Sequence, residues 1–133
     1  MVRVRFVVVG KPSQDYAGLI REYEKRLNKY CSFEAFELKD NAKAADIISL
    51  LKGKVICLDS SGVQFASESF AELLKEDLTF VVGGSEGLAA EVKKLGMLVS
   101  FSKMTFPHQM ARLILAEQVY RGFTILRKEK YHK

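Results

Sequence analysis

Two histidines stand among 133 residues, His108 and His132. Theirs are the only side chains whose ordinary pKa lies near neutrality, so proton transfer at neutral pH points to them first. His108 follows Pro107, which suits the first turn of a helix because its missing N–H costs nothing there. A histidine so placed either orients the helix start by hydrogen bonding or handles a proton, and both roles are open. Arg112 lies one helical turn on, on the same face, where it could bind a substrate phosphate. Glu117 and Arg121 repeat that spacing and read as a surface ion pair. His132, beside Tyr131, has no evident packing use in the polar run Arg127 to Lys133. That run reads as mobile.

The segments before these residues could form a ligand crevice. Residues 78–82, Leu-Thr-Phe-Val-Val, carry no charge and predict a short strand buried on both faces. Gly83 and Gly84 permit a tight turn and close approach of backbone to another group, or simply connect strand to helix. Ser85 is the expected cap of a helix with Leu88, Ala89, Val92 and Leu95 on its apolar side. Met97 to Ser100 reads as the next strand, followed by Phe101-Ser102-Lys103-Met104-Thr105-Phe106. The helix from Pro107 carries Met110, Ala111, Leu113, Ile114, Leu115, Ala116, Val119 and Tyr120. It is apolar on more than one face, as in a core or a subunit interface.

The elements that must position these loops alternate regularly. Val2 to Val9 predicts a strand entering the sheet interior, closed by Gly10-Lys11-Pro12-Ser13, with Ser13 as helix cap. Tyr16, Leu19, Ile20, Tyr23, Leu27 and Tyr30 recur at helical spacing, with core packing favoured over base stacking. The other face of this helix holds Arg21, Lys25, Arg26 and Lys29, within reach of phosphate. Phe33 to Leu38 predicts a strand. Asp40-Asn41 is placed to start a helix lined by Ala44, Ile47, Ile48 and Leu51. Lys54 to Asp59 predicts a third strand, with Asp59-Ser60-Ser61-Gly62 at its carboxyl end, where open α/β sheets place ligands. Ser69 and Glu72 stand at capping-box spacing in a short helix with Phe70, Leu73 and Leu74 inward. This is an α/β pattern: a mostly parallel sheet with helices on both faces, in one domain over 1–133.

Composition narrows the function classes. Hydrophobic residues make up 48% and charged residues 28%, which suits a globular chain and argues against disorder. Apolar runs fall far short of the roughly 18 residues that span a membrane, and no secretory signal pattern opens the sequence. Cys31 and Cys57 match no metal or redox spacing, and two separate thiols suit a reduced cytoplasm. A net charge of +5 favours a polyanionic partner.

The motifs Val82-Gly83-Gly84-Ser85-Glu86-Gly87, Phe101 to His108 and Tyr131-His132 resemble the ribosomal RNA large subunit methyltransferase H family. That family belongs to the SPOUT, or α/β-knot, methyltransferases. The resemblance extends over the whole chain, including Gly10-Lys11 and Cys57-Leu58-Asp59. It departs at Lys130, where the family usually carries proline. It implies a C-terminal trefoil (α/β) knot, which periodicity alone never predicts, and a homodimer. It also implies S-adenosylmethionine as methyl donor, held by Leu58, Gly83, Gly84 and the loop Phe101, Ser102, Lys103, Met104, Thr105 and Phe106. Met104 and Phe106 could instead be plain core residues. The implied reaction is methylation of N3 of a pseudouridine in 23S ribosomal RNA on assembled ribosomes, without metal. His132, Tyr131 and His108 are the candidate catalytic residues, the first two reaching into the partner subunit's site. Arg112, Arg21 and Lys25 are candidates for RNA contact.

Two other readings use the same residues differently. A flavodoxin-like protein would put phosphate at the glycine turn. A non-enzymatic RNA-binding module would use the basic helix 14–30 and bind no adenosine ligand.

Overall fold

The computed structural model describes residues 1–133. Five parallel strands form one sheet in the order β2-β1-β4-β3-β5. They are β1 (Arg3–Val9), β2 (Ser32–Leu38), β3 (Lys54–Gln64), β4 (Leu78–Val82) and β5 (Met97–Ser100). Between them run α1 (Gln14–Leu27), α2 (Ala44–Ile48), α3 (Ser67–Glu72) and α4 (Ala90–Lys93), and α5 (His108–Leu126) follows β5.

Handedness decides which face each helix covers. Steps from β1 to β2 and from β3 to β4 move one way along the sheet; steps from β2 to β3 and from β4 to β5 move the other way. Right-handed crossovers therefore send α1 and α3 to one face and α2 and α4 to the opposite one. The core follows. Val4, Phe6 and Val8 of β1 join Leu27, Phe70 and Leu115 on the first face. Val7 and Val9 join Ile47 and Val92 on the second. All five residues of β4 are buried, as expected for a strand covered on both sides. α5 lies on the first face against α1 and α3. Gly122 sits where α5 crosses α3: a Cβ there would stand 3.3 Å from Ala71 Cα and 2.5 Å from Leu74 Cδ1 just beyond α3.

The strand order separates this sheet from the flavodoxin-like order 2-1-3-4-5, because here β4 lies inside β3. Local boundaries also differ from expectation. Leu19 is 55% exposed although it falls on the helical stripe, whereas Ile20, Leu27 and Tyr30 are buried. α2 begins beyond Asp40-Asn41 because Asp46 accepts the Lys43 N–H at 2.9 Å and closes its first turn there. Ser69 and Glu72 form no capping box; α3 starts at Ser67, whose hydroxyl donates to Gln118 Oε1 at 2.7 Å. β3 continues past Asp59 through a bulge and pairs again with β5 at Val63 and Gln64. At Gly62 the strands come so close that a Cβ would stand 2.5 Å from the Leu98 carbonyl carbon.

Candidate active site

The bulge of β3 and the carboxyl ends of β4 and β5 share one crevice of about 460 Å³, within the range of small-molecule sites. Its walls come from the bulge within β3 (Leu58, Asp59, Ser60), the turn after β4 (Gly83, Gly84, Ser85, Gly87, Leu88) and the loop from β5 to α5. Leu58, Gly83, Gly84, Phe101, Ser102, Met104, Thr105 and Phe106 all line it, as does His108. Lys103 does not line it and is exposed. Met104 is 74% exposed, so it is a rim residue and not part of the core. Val99, Ser100 and Ala111 also line it, and no motif in the sequence marks them. Their small or branched side chains look like ordinary strand and helix interior, and only the fold brings them to this wall.

Each wall has a local cause. The turn after β4 folds back on itself: Gly87 N–H donates to the Gly84 carbonyl at 3.0 Å, and the two residues form a bridge. A Cβ at Gly83 would stand 2.9 Å from the Gly87 carbonyl carbon, so the turn closes only on glycine. This turn replaces the helix start expected at Ser85; α4 begins five residues later, at Ala90, with Ala89 as its cap. The loop after β5 is organised by serines. Buried Ser100 donates its hydroxyl to the Ser102 carbonyl at 2.7 Å and accepts the Ser102 N–H at 3.1 Å. Ser102 Oγ then accepts the Met104 N–H at 3.0 Å. Phe101 is anchored edge-on to Phe70, with ring centroids 6.3 Å apart.

Two ionisable side chains, those of Asp59 and His108, are among the lining residues. Asp59 accepts Ser61 N–H at 3.1 Å and the Ser61 hydroxyl, and pairs with Lys93 Nζ at 3.1 Å. The Ser61 hydroxyl, aided by Lys93, holds the Asp59 carboxyl below its ordinary value, so it is ionised at neutral pH. His108 opens α5 beside the end of β1. A Cβ on Gly10 would meet Asp40 Oδ1 at 3.0 Å and His108 Nε2 at 3.5 Å. The positive φ of Gly10, 96°, and its missing side chain leave room for both.

The remaining candidates lie elsewhere. Arg112 is 3% exposed and gives its guanidinium to Glu24 (2.9 and 3.0 Å) and Glu37 (2.6 Å). It is a buried tie between α5, α1 and β2, and is not presented to a phosphate as its spacing from His108 implied. Arg21 and Lys25 are exposed on α1. The tail docks on the body of its own chain, against the expectation of mobility. Tyr131 packs edge-on to Tyr120 at 4.7 Å and donates to Glu117 Oε2 at 2.8 Å, and burial raises its phenol pKa. His132 bridges Arg121 Nη1 and Glu68 Oε2, both at 3.0 Å. The expected Glu117–Arg121 pair forms at 2.7 Å and serves as the platform of the tail. Neither Tyr131 nor His132 lines the crevice of its own chain.

A parallel sheet of this order, with one crevice across the β3 bulge and the ends of β4 and β5, defines an α/β protein with a cavity of small-molecule size. Residues 2–132 match the family model described as predicted SPOUT methyltransferase, and the chain belongs to that family. It is similar to proteins named ribosomal RNA large subunit methyltransferase H. The relative from Caldicellulosiruptor saccharolyticus is 40% identical, over 98% of this chain and 99% of its own. That from Natranaerobius thermophilus is 41% identical, over 98% and 99%. That from Streptococcus thermophilus is 40% identical, over 99% and 100%. Among solved structures, TrmJ from Z. mobilis superposes with a TM-score of 0.56 at 10% identity, over 89% of this chain and 69% of that one. A probable methyltransferase from Bordetella pertussis gives 0.56 at 10% identity, over 92% and 95%. These two likenesses concern the fold.

No helix is long and apolar enough to cross a membrane.

Proposed function

We propose that this chain methylates N3 of a pseudouridine in large-subunit, 23S ribosomal RNA, taking the methyl group from S-adenosylmethionine. The observation that carries the reading is the convergence of three separate segments, 58–60, 83–88 and 101–108, on one crevice in a chain of this family. The full-length relatives named for large-subunit ribosomal RNA support the substrate class. The crevice suits the donor chemically. Leu58, Val82, Leu88, Val99 and Phe106 offer apolar surface for a purine, and the glycine turn brings backbone polar groups within its reach. The Asp59 carboxylate offers a counter-charge to a cation.

Bound there, S-adenosylmethionine supplies an electrophilic methyl group on a sulfonium. The protein aligns the acceptor nitrogen with it and promotes loss of the imino proton. His108, which lines the crevice, is assigned to orient or deprotonate the acceptor. Tyr131 and His132 are assigned to the site of the partner subunit in a homodimer, since they do not line their own. Arg21 and Lys25 are assigned to RNA phosphates. The loop 101–107 leaves the edge strand β5 and reaches the end of β1 across β3 and β4. This return supports the trefoil knot of the family. A reduced, cytoplasmic setting fits two buried free thiols, of which burial pushes Cys31 up to about 12.

Calorimetric titration with S-adenosylmethionine and with flavin mononucleotide tests the reading of the crevice. One donor molecule per chain and no flavin binding is expected. Flavin binding without donor binding would overturn it.

A further inference from the structure

Asp59 is the only carboxylate among the residues that line the crevice. Its side chain keeps 20% exposure, and its partners leave it capacity. Oδ2 takes both Ser61 donors, whereas Oδ1 takes only Lys93, at 3.1 Å. A carboxylate has about four acceptor positions, so Oδ1, with Lys93 alone, keeps capacity for a further donor or cation. Beside walls that include Leu58, Val82, Leu88 and Phe106, an ionised carboxylate adds a negative field that is screened less than it would be in water. Lys93, from α4, is not a lining residue, yet it competes for the same oxygen.

We propose that Asp59 reads ligand charge in this crevice, favouring the sulfonium donor over the neutral thioether product, with Lys93 attenuating that preference. The inference rests on the methyl-donor reading above. In the transfer, the acceptor nitrogen forms the new N–C bond while the C–S bond breaks and its electron pair stays on sulfur. Sulfur thereby loses its positive charge, and the imino proton leaves to solvent or a nearby base. The attraction to Asp59 disappears at that moment, so the carboxylate helps exchange product for fresh donor.

The test measures affinities of S-adenosylmethionine and S-adenosylhomocysteine for the full chain and for Asp59→Asn and Lys93→Gln at low salt. Asp59→Asn is expected to weaken S-adenosylmethionine roughly fivefold and leave S-adenosylhomocysteine within about twofold. Lys93→Gln is expected to do the opposite to the donor, tightening it about threefold with the product unchanged. Lys93 is a helix-surface residue, so this arm decides the matter if Asp59→Asn fails to fold. Equal changes for both ligands, or an unchanged ratio in both variants, would overturn the charge-reading role alone. Failure of the unaltered chain to bind either ligand would instead overturn the methyl-donor reading beneath it.

Discussion

Arg112 on α5 grips Glu24 on α1 through two parallel bonds, Nε to Oε2 at 2.9 Å and Nη2 to Oε1 at 3.0 Å. Glu37 on β2 takes the remaining nitrogen, so one cation serves two carboxylates in a nearly sealed position. Removing it leaves both acids without a partner. Arg112→Met should lower stability by about 3 kcal/mol or more, as when one member of a buried pair is lost. Adding Glu24→Gln and Glu37→Gln to it should recover part of the loss. Urea denaturation of the three proteins checks this; a loss under about 1 kcal/mol for the single variant would refute the tie.

Gly83 closes the crevice turn by approaching Gly87. Gly83→Ala should open the turn, because its Cβ would face backbone 2.9 Å away and backbone cannot swing aside. S-adenosylmethionine affinity should fall about tenfold or more, roughly 1.4 kcal/mol. Gly84→Val meets the Val9 side chain at 3.2 Å and should weaken binding through displacement of the same turn. Unchanged calorimetric affinity in folded variants would remove the turn from the site.

Burial, assisted by its hydrogen bond to Glu129 at 2.6 Å, pushes Tyr30 up to about 12. The folded protein therefore holds a proton that the unfolded chain releases near pH 10. The stability this represents is fully present below pH 10 and is lost as pH rises toward 12. Tyr30→Phe should flatten the decline of unfolding free energy over that window. Equal slopes in both proteins would contradict the linkage.

The docked tail makes a two-part forecast. Deleting Tyr131 to Lys133 removes the Tyr131–Glu117 and His132–Glu68 contacts, so a modest stability loss is expected, with donor binding retained. Methyl transfer should fall about a hundredfold, the scale of a lost acid–base or positioning group. Mixed dimers of deleted chains and Gly84→Val chains should regain activity, since one site would combine an intact crevice with the other chain's tail. Verified mixed dimers with no recovery would show that each tail serves its own subunit.

RNA contact through Lys and Arg predicts steep salt dependence of ribosome binding, because each neutralised phosphate releases counterions. Arg21→Ala with Lys25→Ala should reduce the slope of log affinity against log salt by about two units. An unaltered slope would place the RNA elsewhere on the surface.

Much of the molecule was legible in its residues because the deciding interactions are local. Leu78 to Val82 announces a doubly covered strand, and all five residues are buried. Ile20, Leu27 and Tyr30 fall inward as their spacing requires. Most of the crevice residues also stand in short motifs. What stayed hidden depends on distant partners. Arg112 meets acids 88 and 75 positions away, and nothing near it in sequence reveals them. The Gly84–Gly87 bridge overrides a cap at Ser85 because the turn must fit beside Val9. Tyr131 looks solvent-bound until α5 supplies Tyr120 and Glu117 beneath it.

The most direct measurement of the central claim uses ribosomes lacking this methylation, incubated with the protein and isotopically labelled S-adenosylmethionine. Nucleosides of the large-subunit RNA are then resolved by mass spectrometry. One label per large subunit, carried on N3 of a pseudouridine, is the predicted result. Active, folded protein that binds the donor but places no label there, or labels another nucleoside, would contradict the proposed function.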